Sequence, residues 1–523
     1  MTCSRAGAGL TAAERGQHIT RMDDPVPIHS VQTWHVRAQA LRPTGLALIN
    51  GALVPARSGA CFDCISPIDG RRLASVAACD REDVDLAVAA ARASFERREW
   101  ADQAPAERKR VLLNFAERIE SSTEELALLE TLDVGKPIRD SLGVDVPATV
   151  RCLRWYAEAI DKRYDEVAPT GTQSLALITR EPIGVVGAIV PWNFPMLMAA
   201  WKIAPVLAAG NSLVLKPSEK SPLSAIRLGQ LALEAGVPPG VFQVLPGFGL
   251  TAGAALAAHA DVDCIAFTGS TATGKAVMQA AAQSNLKRVS LECGGKSPNI
   301  VMADYGDLER VARAAALAIF FNQGEMCSAG SRLLVQEAIR EPLLEQVGRI
   351  ARTMAPGDPL DPATTLGAMV DETQTRRVLE YIDEGKREGA RLAFGGSRVR
   401  TESGGCYIEP TVFDAVTARM RIAREEIFGP VLATLSFRDL EEALRIANDV
   451  SYGLAAAVWT RDLKTAHRAA RALRAGVVYV NCYDADDITV PFGGYKQSGF
   501  GRDKSLHAFD KYTELKTTWI DLS

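Results

Sequence analysis

Between Gly184 and Glu292 the chain alternates short apolar runs with stretches whose apolar residues recur at helical spacing. That repetition predicts parallel strands joined by crossover helices. The predicted strands are Val185 to Val190, Ser212 to Leu215, Val241 to Leu245, Val262 to Phe267 and Arg288 to Leu291. The helix between the second and third is well punctuated. Ser221 is placed to cap it, Pro222 takes its first turn, Leu228, Leu231, Ala232 and Ala235 share a face, and Gly236 ends it. Upstream, Val84, Val88, Ala91 and Phe95 fall at helical spacing, and Pro105 opens a long helical region through Leu132.

After Gly294 a second set of apolar runs begins: Ile300 to Met302, Leu333 to Val335, Val431 to Leu435 and Val477 to Val480. Helical patterns around Leu308 to Phe320 and Leu440 to Asn448 interleave with them, which predicts a second α/β domain. Thr513 to Asp521 alternates like a strand but has no partner nearby in sequence, so it is expected to pair with the edge of another subunit. The first 44 residues carry little periodic pattern and are expected to be a flexible extension.

Composition narrows the picture. With 523 residues, 47% apolar and 23% charged, the chain can bury more than one core. A net charge of -4 with no basic stripe excludes nucleic acid as an expected partner. No run approaches the roughly 20 apolar residues that a membrane helix needs, and Met1 to Arg21 lacks the apolar stretch of a secretory signal, so a cytoplasmic protein is expected. Ten cysteines without secretory context suggest reduced thiols. Cys61 and Cys64 form a single CxxC with no second pair and only scattered histidines, so no metal site is expected.

Three segments carry candidate chemistry. Phe321 to Gly330 is a polar, glycine-bracketed turn that presents Cys327 on a loop, and a thiolate adds readily to an aldehyde carbonyl. Glu292 stands at the end of an apolar strand before Gly294 and Gly295, where a desolvated carboxylate can act as a general base. Asn193 lies in Pro191-Trp192-Asn193-Phe194-Pro195, at another strand end and the start of a helix, where its amide can serve a developing oxyanion with the backbone N–H of Cys327. Each has a bland alternative: a structural thiol, a turn-capping carboxylate and a rigid proline turn.

For a dinucleotide, Lys216, Ser218 and Glu219 end the second strand. Phe267, Thr268, Gly269, Ser270, Thr273 and Gly274 follow the fourth, where small residues let a pyrophosphate approach a helix start with Ser270 as direct donor. Glu219 suits a ribose diol and would repel a 2′-phosphate, which favours NAD over NADP. Gly247, Gly249 and Gly253 only approximate the usual glycine fingerprint.

In order along the chain, PWNFP, KPSE, FTGSTATG, LECGGKSPNIV, NQGEMCSAGSR, EEIFGPV and PFGGYKQSGFGRDKS resemble the aldehyde dehydrogenase superfamily over roughly residues 45 to 520. The resemblance implies Cys327 as nucleophile, Glu292 as general base and Asn193 as oxyanion donor. It implies cofactor contacts at Trp192, Lys216, Glu219, Gly269, Ser270 and Gly274, with Glu426 and Phe428 on the nicotinamide side. The implied fold is α/β: a Rossmann-like NAD-binding domain (45–159 and 183–294), an α/β catalytic domain (295–497) and a small β oligomerisation element (160–182 and 498–523), assembled as a homodimer or homotetramer. Cys293 departs from the family's frequent leucine and puts a second thiol near the site; a small residue packed at a strand end is the first reading, and reversible trapping of an oxidised Cys327 the second.

Several segments are most similar to gamma-glutamyl-gamma-aminobutyraldehyde and related aminoaldehyde dehydrogenases of polyamine catabolism. The expected substrate is therefore an aminoaldehyde, gamma-glutamyl-gamma-aminobutyraldehyde or guanidinobutyraldehyde, with a broad-specificity aliphatic or aromatic enzyme, and after it a catalytically silent NAD-binding relative, as the alternatives. At family-matching positions Phe194, Met198, Trp201, Met326, Asp484, Asp486 and Phe492 are expected to line the pocket, the two aspartates facing a cationic substrate end.

Overall fold

The computed structural model describes residues 29–523. The first part of the expected extension lies outside them. The rest corrects the expectation: Val31–Ala40 is a helix whose Ser30 cap accepts the Thr33 N–H, and Trp34 is fully buried. One large aromatic anchors an otherwise polar helix, a docking that leaves no periodic apolar signal. Trp34→Ala is expected to destabilise the fold by about 3–5 kcal/mol, the cost of truncating a buried aromatic, read as a lowered unfolding midpoint.

Two sheets position everything else. The first runs, edge to edge, Ala52–Val54, Ala47–Ile49, Phe242–Val244, Ser212–Lys216, Val185–Ile189, Cys264–Thr268, Arg288–Glu292 and Gly499–Phe500. Its five central strands are parallel and read as near-continuous apolar runs because both faces are covered. From Val185–Ile189 the chain builds outward on one side, then returns to place Cys264–Thr268 on the other. A crevice opens beyond the strand ends at such a reversal, and here it is bordered by Trp192 and Ser270.

The second sheet runs Arg391–Phe394, Thr411–Asp414, Val431–Phe437, Arg332–Gln336, Pro298–Val301, Ala455–Trp459 and Val477–Val480. The four strands expected here are present, each within two residues of its expected limits. A third, smaller sheet corrects the reading of the C-terminal strand. Thr513–Asp521 pairs along its whole length with Ser174–Pro182 of the same chain, from Thr513 opposite Pro182 to Asp521 opposite Ser174. No hairpin signal announces a partner so distant in sequence.

The predicted helix after Ser212–Lys216 runs Leu223–Glu234, ending before Gly236 at φ +101°. Its cap differs from expectation: Ser221 Oγ is buried without a partner, and Asp133 Oδ2 accepts the Leu223 N–H at 3.0 Å. A long-range carboxylate has displaced the local hydroxyl. The other Asp133 oxygen accepts the Cys64 thiol at 2.9 Å. The long region from Pro105 is two helices, Pro105–Ser121 and Thr123–Val134. Among the described residues no helix is long and apolar enough to cross a membrane.

Candidate active site

The helix Leu308–Phe320 gives way to a tight turn in which Asn322 and Gln323 are both left-handed, at φ +47° and +56°. Two successive non-glycine residues in this region are strained and persist only where surroundings hold them. Asn322 Nδ2 donates to the carbonyls of Asn193 at 3.0 Å and Glu325 at 3.2 Å, and Gln323 Oε1 accepts the Gly367 N–H at 2.9 Å. Buried Glu325 accepts the Val370 N–H at 3.0 Å. Cys327 follows, half-buried. Burial, then Glu426, Glu292 and Asp484, push its thiol up, against the Ser328 N–H, so it rests protonated.

Glu292 ends its strand almost fully buried, and neither carboxylate oxygen has a hydrogen-bond partner. Burial and Asp503 raise its proton affinity well above the ordinary range, opposed by Lys202, Lys511 and Arg502. Buried Asp503 is itself clasped by Lys202 and Lys511, whose charges outweigh its burial and hold it low. The turn after Glu292 needs glycine. A Cβ on Gly294 would stand 2.0 Å from Glu426 Oε2, and one on Gly295 would stand 2.5 Å from the Cys327 carbonyl. Both the Cys327 loop and Glu426 therefore press against this turn. Glu426 Oε1 accepts the Gly295 N–H at 3.1 Å, and burial pushes its carboxyl up to about 7.

Cys293 packs elsewhere. It shares a core patch with Phe267, Val277 and Leu291, and its Sγ lies 3.0 Å from where a Gly274 Cβ would stand. Successive residues at a strand end point to opposite faces, so Glu292 and Cys293 part company. Burial and Glu292 raise its thiol to about 12. These surroundings favour the reading of Cys293 as a packed strand-end residue.

Asn193 enters from the first sheet, just before the helix Pro195–Ala208. Its Nδ2 donates to the Glu325 carbonyl at 2.8 Å, which ties it to the Cys327 loop and leaves its second amide hydrogen for another acceptor.

The expected cofactor residues lie as follows. Ser270 Oγ caps the helix Thr271–Gln283, accepting the Thr273 N–H at 3.2 Å and bonding to Thr273 Oγ1 at 2.9 Å, which places this hydroxyl at the helix start. Phe267 is core, its ring 2.7 Å from where a Gly269 Cβ would stand. A Cβ on Gly249 would meet no protein atom within 4 Å, so its surface faces open space. Thr268 is buried with its hydroxyl unpartnered. Gly269 N–H donates to the Glu292 carbonyl at 3.0 Å and so ties this turn to the general-base candidate. Lys216, buried, donates to Glu219 Oε2 at 3.0 Å, and Ser218 Oγ accepts the Lys220 N–H at 3.2 Å. Trp192 meets Phe428 edge to face at 5.2 Å, which brings the EEIFGPV segment of the second sheet over the crevice of the first. A helix start, an acid–lysine pair at a strand end and an aromatic pair over one crevice fit a dinucleotide.

Phe194, Met198, Trp201, Met326 and Phe492 are all buried; Phe194 stacks on Phe321 at 6.3 Å and Trp201 tilts on Phe492 at 5.3 Å. Asp486 is not the free counter-charge expected. It is paired with buried Lys504, whose Nζ lies 5.6 Å from the Trp201 ring and 5.9 Å from the Phe492 ring. Lys504 and Asp486 are 18 residues apart with no shared periodicity, so this pairing is not visible in the sequence. Asp484 remains. Burial and Asp486 raise it to about 6, and it accepts from Ser328 Oγ at 3.4 Å. Sequence reasoning gave no role to Asn322, Gln323, Glu325 and Asp503, although they stand inside the quoted motifs, and none to Lys202, which lies outside them.

A two-sheet α/β fold with a dinucleotide crevice facing a loop cysteine and a buried carboxylate defines an oxidoreductase class. Comparison with known proteins gives the family. Residues 53–518 match the aldehyde dehydrogenase family. The chain is 53% identical over 494 residues to the NADP/NAD-dependent aldehyde dehydrogenase PuuC of Escherichia coli strain K12, covering 94% of this chain and 99% of that one. It superposes at TM-score 0.93 and 59% identity on gamma-glutamyl-gamma-aminobutyraldehyde dehydrogenase from Burkholderia cenocepacia J2315, covering 95% of this chain and 100% of that one. Against P. syringae AldA indole-3-acetaldehyde dehydrogenase, in a complex with NAD+ and IAA, the TM-score is 0.94 at 60% identity, covering 94% and 100%. The chain belongs to the aldehyde dehydrogenase family and is an NAD(P)-dependent oxidoreductase.

Proposed function

We propose that this enzyme oxidises an aminoaldehyde to its carboxylic acid through a thioester on Cys327. The observation that carries the reading is the Glu292 carboxylate, buried and without a hydrogen-bond partner, in the electrostatic neighbourhood of the Cys327 thiol. Glu292, with its raised proton affinity, takes the thiol proton as sulfur attacks the carbonyl carbon. The carbonyl oxygen takes the electron pair, held by the free Asn193 amide hydrogen and the Cys327 N–H. When bound, the nicotinamide supplies the two-electron acceptor, and Lys216, Glu219, Trp192, Glu426 and Phe428 would hold the dinucleotide. NAD is favoured because Glu219 opposes a 2′-phosphate. Glu292 releases the thiol's proton to solvent and, a carboxylate again, deprotonates the water that attacks the thioester; the C–S bond breaks, and the Cys327 thiolate takes that second proton back from Glu292. NADH formation over an aldehyde panel, with Cys327→Ala as control, tests the assignment.

The named substrate of the Burkholderia relative supports the aminoaldehyde class. Asp484, between Cys327 and the Asp486–Lys504 pair, is the carboxylate left to meet a remote ammonium. Asp484→Asn is expected to lower kcat/KM for an ω-amino aldehyde about fivefold more than for a neutral aldehyde of equal length, the effect of one partly screened ion pair. Asp486→Ala should leave that ratio within about twofold. Equal losses on both aldehydes would remove Asp484 from substrate recognition. The exposed edge strand Thr513–Asp521, with Leu515 and Trp519 open, supports a homodimer or homotetramer.

A further inference from the structure

Beneath the Asn193 arm lies a buried charge cluster that the steps above do not use. Lys136, Glu130 and Asp145 are each fully buried. Gly135, at φ +84°, ends the helix Thr123–Val134, and Lys136 follows it inward. The Lys136 Nζ donates to Asp145 Oδ2 at 2.8 Å and to Glu130 Oε1 at 3.4 Å, and it stands 3.9 Å from the centre of the Phe194 ring. The second Glu130 oxygen accepts the Met196 N–H at 3.2 Å, in the first turn of the helix that follows Asn193.

The same turn is fastened to the nucleophile loop. The Ala368 N–H donates to the Gly135 carbonyl at 2.9 Å. One residue before, the Gly367 N–H holds Gln323, and two residues after, the Val370 N–H holds Glu325. Lys136 is also among the cations that act against the burial of Glu325, two residues before Cys327. Asp140 and Arg139 stand at the edge of the cluster.

Burying an ammonium with its acids adds little net stability over an apolar cluster of equal volume. The contacts instead converge on the two loops that must meet at the carbonyl carbon. We propose that Lys136 is a positioning residue for aldehyde oxidation: its ammonium, clasped by Asp145 and Glu130 and covered by Phe194, sets the Asn193 amide against the Cys327 loop. This rests on the reading of Asn193 as oxyanion donor.

A double-mutant cycle on the full-length enzyme tests it, with single-turnover NADH formation as the readout and NAD titration alongside. Lys136→Met is expected to slow single turnover at least about tenfold with NAD affinity unchanged within about twofold. In the Asn193→Ala background it should cost less than about threefold, because the amide it positions is gone. Lys136→Arg should recover part of the loss. Equal factors in both backgrounds, or no loss in the parent, overturn the inference while leaving Asn193 as donor. If Asn193→Ala alone costs nothing, the donor reading falls and the inference falls with it. Should Lys136→Met not fold, Lys136→Met with Glu130→Gln, which removes an uncompensated acid together with the cation, carries the same cycle.

Discussion

Cys327→Ala is expected to lower aldehyde-dependent NADH formation by about 10,000-fold or more, the scale at which removal of a catalytic nucleophile acts. The loop should survive the change, because its geometry is held by Asn322, Gln323 and Glu325 and not by the thiol. NAD affinity, measured by fluorescence titration, should therefore stay within about twofold, since Trp192, Lys216, Glu219 and Phe428 are untouched. A residual rate within about tenfold of the parent would show that another group attacks the carbonyl. The thiol that follows Glu292, Cys293, is raised to about 12 and packed against Gly274, so it is a poor substitute.

What the sequence made legible follows from how local each signal is. Buried parallel strands such as Val185–Ile189 and Ser212–Lys216 announce themselves as apolar runs, and glycine pairs and prolines mark the loops at their ends. Cys327, Glu292 and Asn193 stand on such loops, so motif order could assemble them before any coordinates. The supporting residues are different. Trp34 docks a polar helix with one ring, Asp133 caps a helix about 90 residues away, and Thr513–Asp521 finds its strand in Ser174–Pro182. Lys504 reaches Asp486, and Asp503 gathers two lysines beside Glu292. These are long-range pairings of ordinary charged and aromatic residues, and no local spacing encodes them.

Glu292→Gln should separate the two halves of the reaction. Glutamine keeps the size of the side chain and its carbonyl oxygen but cannot take a proton, so thioester hydrolysis loses its general base and steady-state turnover is expected to fall about 100- to 10,000-fold. The burst of NADH reads the first half alone: because Glu292 also takes the thiol proton in the proposed steps, the burst should slow together with the steady state, and a burst that kept the parent's rate would confine Glu292 to thioester hydrolysis. The pH dependence gives an independent check. Because burial and Asp503 raise Glu292, its carboxylate form is scarce at low pH and grows as pH rises toward its elevated pKa, so parent turnover should climb with pH and the variant should lose that climb. Stability runs the opposite way. A carboxyl whose folded pKa lies above its unfolded value favours the fold fully below the unfolded pKa, and that contribution is lost as pH rises through the folded pKa. Glu292→Gln has no such proton to lose, so its unfolding midpoint should gain on the parent as pH is raised. A midpoint difference that does not change with pH would mean that Glu292 titrates normally, which would remove the basis for its role as the base.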